Sequence, residues 1–179
     1  LDGTANFAAG VEPFAIMIAL LKNGETVASW LFDPVTQRLI VAEKGAGAWI
    51  SGERIHVNQK GLDLGEMNGA VLRRFLSDDF QKHITAVEGE FAQLSAGSKC
   101  AGFDYLDVSV GSIHFAMYWR TLPWDHAAGV LVLEEAGGIA RRLNGDRYLP
   151  RESRRNGLLA ARNIDIWNAS SKKLIPKKL

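Results

Sequence analysis

The apolar positions of this chain fall into two regimes. Over the first third they come in short stretches separated by turn residues. Positions 14–21 form one apolar run and 25–32 another, and Asn23-Gly24 between them tolerates the positive φ that a two-residue hairpin turn demands. Asp33-Pro34 breaks the second run. Positions 39–42, 46–50 and 54–57 then predict three more short strands, punctuated by Gly45 and Ser51-Gly52, and the whole region predicts an antiparallel meander.

Beyond Gly69 the period changes. Positions 70–72 suit a buried strand, whereas Phe80, Ile84 and Val87 recur at helical spacing behind Ser77, a residue suited to cap a helix start. Helices are predicted over 78–87, 102–110, 124–135 and 163–174, and strands over 115–119, 139–142 and 158–161. Gly137-Gly138 is expected to end the third helix and Asn163 to cap the fourth. The stretch 58–67 lacks a period and is expected to be a mobile loop. A β-rich half, 1–66, thus precedes an α/β half, 67–179. Periodicity by itself supports a mixture of α and β and nothing finer.

Composition narrows the possible roles. The chain is 47% hydrophobic and 23% charged, as ordinary globular domains are. Its 21 Lys and Arg against 20 Asp and Glu leave a net charge of +1, so no global field draws it to nucleic acid or to a membrane. The basic stretches 151–155 and 172–178 lack the interleaved aromatic residues on which bases stack, and are read as solvated surface. The run 14–21 is far shorter than the roughly 20 residues that span a bilayer. Cys100 is the single cysteine, which rules out an internal disulfide and makes the cytoplasm the expected compartment.

The candidate chemistry lies in two segments. Leu1-Asp2-Gly3-Thr4-Ala5-Asn6-Phe7 opens the chain, and Trp124-Asp125-His126-Ala127-Ala128-Gly129 runs into Glu134-Glu135-Ala136-Gly137-Gly138. In this order and at this separation they resemble the paired signatures of the inositol monophosphatase family, magnesium-dependent and usually lithium-sensitive phosphomonoesterases. The region from Asp33-Pro34 to Ser51-Gly52 resembles the family too, although Arg38-Leu39-Ile40 stands in place of its acidic, apolar and aromatic triplet. The resemblance implies an α/β (α+β) fold, the layered α-β-α-β-α sandwich of the sugar-phosphatase superfamily. The family's first motif normally begins two residues earlier, with an Asp-Pro pair, behind a helical segment and a Glu-bearing strand. None of these stands in this sequence. It is therefore expected to be the C-terminal part of a longer protein, with its two halves forming one incomplete catalytic unit that is inactive by itself.

Phosphate ester hydrolysis needs charge neutralisation on the transferring group and a nucleophilic water, both of which magnesium supplies when carboxylates hold it. The resemblance implies that Asp2 and the Leu1 backbone carbonyl ligate magnesium and that Asp125 ligates a second ion. It makes Asp2 and Thr4 catalytic, with Thr4 orienting the attacking water together with a Glu that this chain lacks. Gly3 and Thr4 are expected to bind phosphate, the glycine allowing backbone amides to approach it. Plain structural alternatives stand beside these roles: a turn-forming acid at Asp2, a capping hydroxyl at Thr4, and at Asp125 an acid stabilised by a helix dipole. Trp124 is expected in the core. His126 is expected to be an ordinary histidine and not a metal ligand or proton shuttle.

Substrate binding is assigned, again by resemblance, to Asp2, Lys99, Ala101, Tyr118 and Asp125. Tyr118 stands where the family places a Glu that binds inositol hydroxyls, and Lys99 where relatives usually have Gly. Tyr118, Trp119 and Arg120 could suit a base, an aromatic group or a second phosphate better than a bare polyol. The expected substrate is a small phosphorylated metabolite. Inositol phosphate follows from the family name, and a sugar phosphate, histidinol phosphate or nucleotide 3′-phosphate stays open. A non-catalytic binding or regulatory protein on the same scaffold is the second class. The resemblance also implies a homodimer, with neither a membrane nor a nucleic acid as partner.

Overall fold

The computed structural model describes residues 1–152 and 155–177. Ser153, Arg154, Lys178 and Leu179, which belong to the two basic stretches and the C-terminus, lie outside the described residues. The meander is present. Strands β1 (Ile16–Lys22), β2 (Glu25–Asp33), β3 (Arg38–Glu43), β4 (Gly47–Ile50) and β5 (Glu53–Arg54) pair antiparallel in sequence order. Asn23 and Gly24 both take positive φ, 53° and 79°, which lets a two-residue turn join β1 to β2. Pairing register sorts the side chains by face. Met17, Leu31, Ile40 and Ile50 form one inward row and Ala19, Ser29, Ala42 and Ala48 another. The opposite face carries Ile18, Trp30 and Leu39, all exposed.

The second sheet has the order β7-β6-β8-β10-β9, built from β6 (Asn68–Val71), β7 (Gln93–Ser95), β8 (Phe115–Tyr118), β9 (Ile139–Arg141) and β10 (Leu158–Ala161). β7, β6 and β8 run parallel, and β10 pairs antiparallel with β8 and β9. Strand β7 was not foreseen: three residues, two of them polar, carry no period.

Helices α3 (Ala101–Val110) and α4 (Pro123–Glu135) lie between the two sheets, sharing one core with the inward rows of the first sheet and with Ala116, Leu158 and Ala160 of the second. Helices α2 (Asp78–Val87) and α5 (Ile164–Leu174) cover the far face of the second sheet over a separate core that includes Phe115, Met117 and Leu159. The layers are therefore sheet, helices, sheet, helices, four of the five in the expected sandwich. Local signals placed the helix ends well. Ser77 Oγ accepts from Phe80 N–H, Asn163 Oδ1 accepts from Ile166 N–H, and α4 ends where Gly137 turns to φ 93°. The expected mobile loop is tied at its start, because Asn163 Nδ2 donates to the carbonyls of Asn58 and Lys60.

Candidate active site

The first motif acid, Asp2, lies at the start of α3. Asp2 is fixed first by its backbone, which exchanges hydrogen bonds of 2.8 and 3.1 Å with Ala15. Its carboxylate is then held on both oxygens. Oδ1 accepts from Gly3 N–H at 2.8 Å, and Oδ2 accepts from Gly102 N–H at 2.8 Å and from the Cys100 thiol at 3.3 Å. A negative charge at a helix start is favoured by the helix dipole. Cys100 is buried, and burial followed by the charge of Asp2 pushes its thiol pKa upward, which keeps the proton on sulfur and available for donation.

Gly3 begins α1 (Thr4–Ala8) with φ 72°, in the left-handed region that glycine adopts readily. A side chain there would meet Pro13 O at 2.8 Å and Phe14 Cα at 3.0 Å. Its amide donates to Asp2 Oδ1, and the residue seats α1 against 13–14. Thr4 is exposed at the first position of α1. Leu1 is exposed as well.

Asp125 sits in the first turn of α4, half-buried, and its carboxylate accepts no hydrogen bond from the described residues. Burial, and next the charge of Asp2, push its pKa upward, with Arg120 opposing them. One motif acid is thus tethered, and the other has no donor among the described residues. Magnesium takes hard oxygen donors, often one or two carboxylates completed by water and substrate phosphate. Asp2, Asp125 and the Leu1 carbonyl are oxygen donors of that kind, and Asp125, half-buried without a donor among the described residues, is a carboxylate that a cation would neutralise. No group of three or more His, Cys, Asp or Glu converges among the described residues.

The sequence model of the inositol monophosphatase family matches residues 1–177. The chain belongs to this family. It is 34% identical over 146 residues to the fructose-1,6-bisphosphatase/inositol-1-monophosphatase of Thermotoga maritima, covering 81% of this chain and 55% of that protein. It is 34% identical over 153 residues to a Nus factor SuhB of Vibrio cholerae and 33% over 148 to an inositol-1-monophosphatase of Rhizobium meliloti, with the same coverage. The chain therefore spans about half the length of the curated relatives it matches. Among solved structures, the Thermotoga maritima IMPase superposes with a TM-score of 0.82 at 29% identity, over 97% of this chain and 65% of that one. The extragenic suppressor protein suhB of Bartonella henselae does so with 0.86 at 27%, over 99% and 68%.

The positions assigned to substrate binding by resemblance to the inositol monophosphatase family differ in exposure. Tyr118 is 2% exposed, stacked on Tyr105 at 5.5 Å and edge-on to His126 at 4.7 Å. It faces the interior between β8 and the helices. Ala101 opens α3 with its methyl group in the core at 9% exposure, leaving its amide as the group able to face a ligand. Lys99 is exposed and takes φ 62°, a conformation that favours the glycine usual in relatives. Trp124 is 69% exposed and borders an apolar groove with Met17, Leu21 and Ala127, so it is not the core residue expected.

His126 is buried. Its Nε2 lies 3.2 Å from the Arg120 carbonyl, which can only accept, so Nε2 carries the proton and Nδ1 accepts from Tyr105 O–H at 3.0 Å. Burial brings its pKa down to about 4, and the neutral ring holds the 120–126 turn.

Two supporting residues escaped the sequence reading. Asn6 is buried and its Nδ2 donates to Pro13 O at 2.8 Å and Ser98 O at 2.9 Å, fastening α1 to the loop before α3. Asp104 accepts from Ser98 N–H at 2.8 Å, while its Oδ2 is buried without a partner among the described residues. Burial raises its pKa to about 6, with the nearby charges of Asp107 and Asp2 adding to the rise. The signal for Asp104 was legible: it shares a helix face with Ala101 and Val108, an acid on an apolar stripe.

Proposed function

We propose that the whole protein carrying this chain is a magnesium-dependent phosphomonoesterase of a small phosphorylated metabolite, in which metal-activated water attacks the ester phosphorus directly. The observation that carries this reading is that both motif acids of the matched family are present, Asp2 positioned by three donors and Asp125 with no donor among the described residues. When bound, magnesium supplies charge neutralisation and an activated water. The chain's own part is to present the two carboxylates, to keep Asp2 in place through Gly102 and Cys100, and to offer Thr4 at an exposed helix start. Cytoplasmic location and a homodimer belong to the same proposal.

The test is phosphate release from a panel of monoesters. Turnover should require magnesium, fall in lithium, and stop in excess chelator. The 179-residue chain by itself should release little phosphate in the same assay, because two carboxylates make only part of the site. Full activity in chelator would refute the reading. Relatives named Nus factor SuhB favour a second, regulatory reading, and complete lack of turnover by the whole protein would shift the balance to it.

A further inference from the structure

The three parallel strands β7, β6 and β8 end on the same edge of the second sheet, the edge at which ligands bind in open α/β sheets. The segments that follow them carry cations. After β7 comes the loop with Lys99, after β6 the short turn Arg73–Phe75, and after β8 Arg120, five residues before Asp125. Arg73 is ion-paired with Glu88. Arg74 and Arg120 form no ion pair among the described residues.

Arg120 is nonetheless held still. Its guanidinium stacks over the ring of Phe75 with its centre 4.2 Å from the centroid, and Arg74 lies 5.2 Å from the same ring. Its carbonyl is gripped by His126 Nε2–H. Its neighbour Thr121 donates to the Arg155 carbonyl and accepts from the buried Arg142 at 2.7 Å. An exposed arginine ordinarily keeps its rotamer freedom, whereas this one is braced at backbone and side chain with its planar N–H edge unpaired. Stacking leaves that edge free for a forked pair of hydrogen bonds to an oxyanion. Arg120 stands on the segment that leads from β8 into α4, whose first turn carries Asp125. Tyr118, two residues earlier, is buried, whereas Arg120 is exposed.

We propose that Arg120, braced on Phe75, receives a second anionic group of the substrate, so that the preferred esters carry a phosphate or carboxylate beyond the phosphate that is cleaved. This rests on the phosphatase reading and assigns specificity within it. The experiment compares kcat/KM of the whole protein on 3-hydroxypropyl phosphate, propane-1,3-diol bisphosphate and phosphoglycolate, in the unmodified form and as Arg120→Met and Phe75→Leu. At least one of the two doubly anionic esters should be preferred by about tenfold, the scale of one charge-assisted contact. Arg120→Met should bring the ratio near one, and Phe75→Leu should lower it partway. The bisphosphate arm and the phosphoglycolate arm tell phosphate from carboxylate. An unmodified ratio near one, or a ratio unchanged in Arg120→Met, would overturn the assignment while leaving the phosphatase reading intact. If no ester is turned over, the phosphatase reading fails, and calorimetric binding of propane-1,3-diol bisphosphate decides about Arg120: equal affinity of the unmodified protein and Arg120→Met overturns it, and about tenfold weaker binding by the variant supports it.

Discussion

Asp2 and Asp125 carry the same functional group in opposite surroundings. Asp2 is an integral part of the fold: its carboxylate accepts from two amides and a thiol and joins the first motif to the start of α3. Asp125 is half-buried, has no donor among the described residues, and is pushed toward protonation by burial and by Asp2. The first arrangement stabilises the chain and places a charge. The second costs stability and leaves a ligand free. On the proposed function the site needs both, because a fully satisfied acid binds weakly and a fully free one is poorly positioned.

Paired substitutions separate the two roles most sharply. Asp125→Asn in the whole protein should lower magnesium-dependent turnover on the order of a thousandfold, the scale of losing a metal-held charge, and leave the melting temperature unchanged or slightly higher. Asp2→Ala should abolish turnover as well, and in addition destabilise the chain by roughly 2–3 kcal/mol, because Gly102 N–H and the Cys100 thiol lose their acceptor. Urea unfolding alongside the assay checks both. Equal destabilisation by the two changes would break the contrast.

Asp104 extends the comparison to a third acid, one that is tethered and strained together. Its folded pKa of about 6 lies above the unfolded value of 3.8, so the folded form holds the proton more tightly. That contribution to stability is fully present below the unfolded value and is lost as pH rises through about 6. Asp104→Asn, which does not titrate, should therefore be more stable than the parent chain by about 2–3 kcal/mol at pH 8, with the difference vanishing near pH 3.5. Urea unfolding of the metal-free chain at the two pH values measures it. A constant difference across that range would show that burial of Asp104 is not what sets its proton affinity.

The smallest effect concerns the loop that carries the donors to Asp2. Lys99 takes φ 62° immediately before Cys100, a conformation that costs a residue with a side chain roughly 1–2 kcal/mol, part of which glycine returns as unfolded-state entropy. Lys99→Gly should raise stability by about 0.5 kcal/mol, read from the shift in unfolding midpoint. A loss of stability would mean that the Lys99 side chain makes contacts that outweigh its backbone strain.

Much of this molecule was legible from the chain. The Asn23-Gly24 turn, the caps at Ser77 and Asn163, the glycine stop after α4 and the period of each long element depend on residues a few positions apart, and such local preferences are written in the sequence itself. The two motifs, with their acids, were legible for the same reason. What only the tertiary structure decided depends on neighbours distant in sequence. Strand β7 exists because the chain returning from α2 can pair beside β6, and not because its three residues prefer to be extended. Gly3's amide turns inward because Asp2 is there to accept it, Asp2 stays put because α3 arrives with Gly102, and Tyr118 is buried because α3 and α4 close over β8. The same closure leaves Arg120 exposed, since a strand that ends at a sheet edge buries one residue and exposes another according to what packs against it. Residue types determined the chemistry on offer; packing determined which of it faces inward and which remains for a ligand.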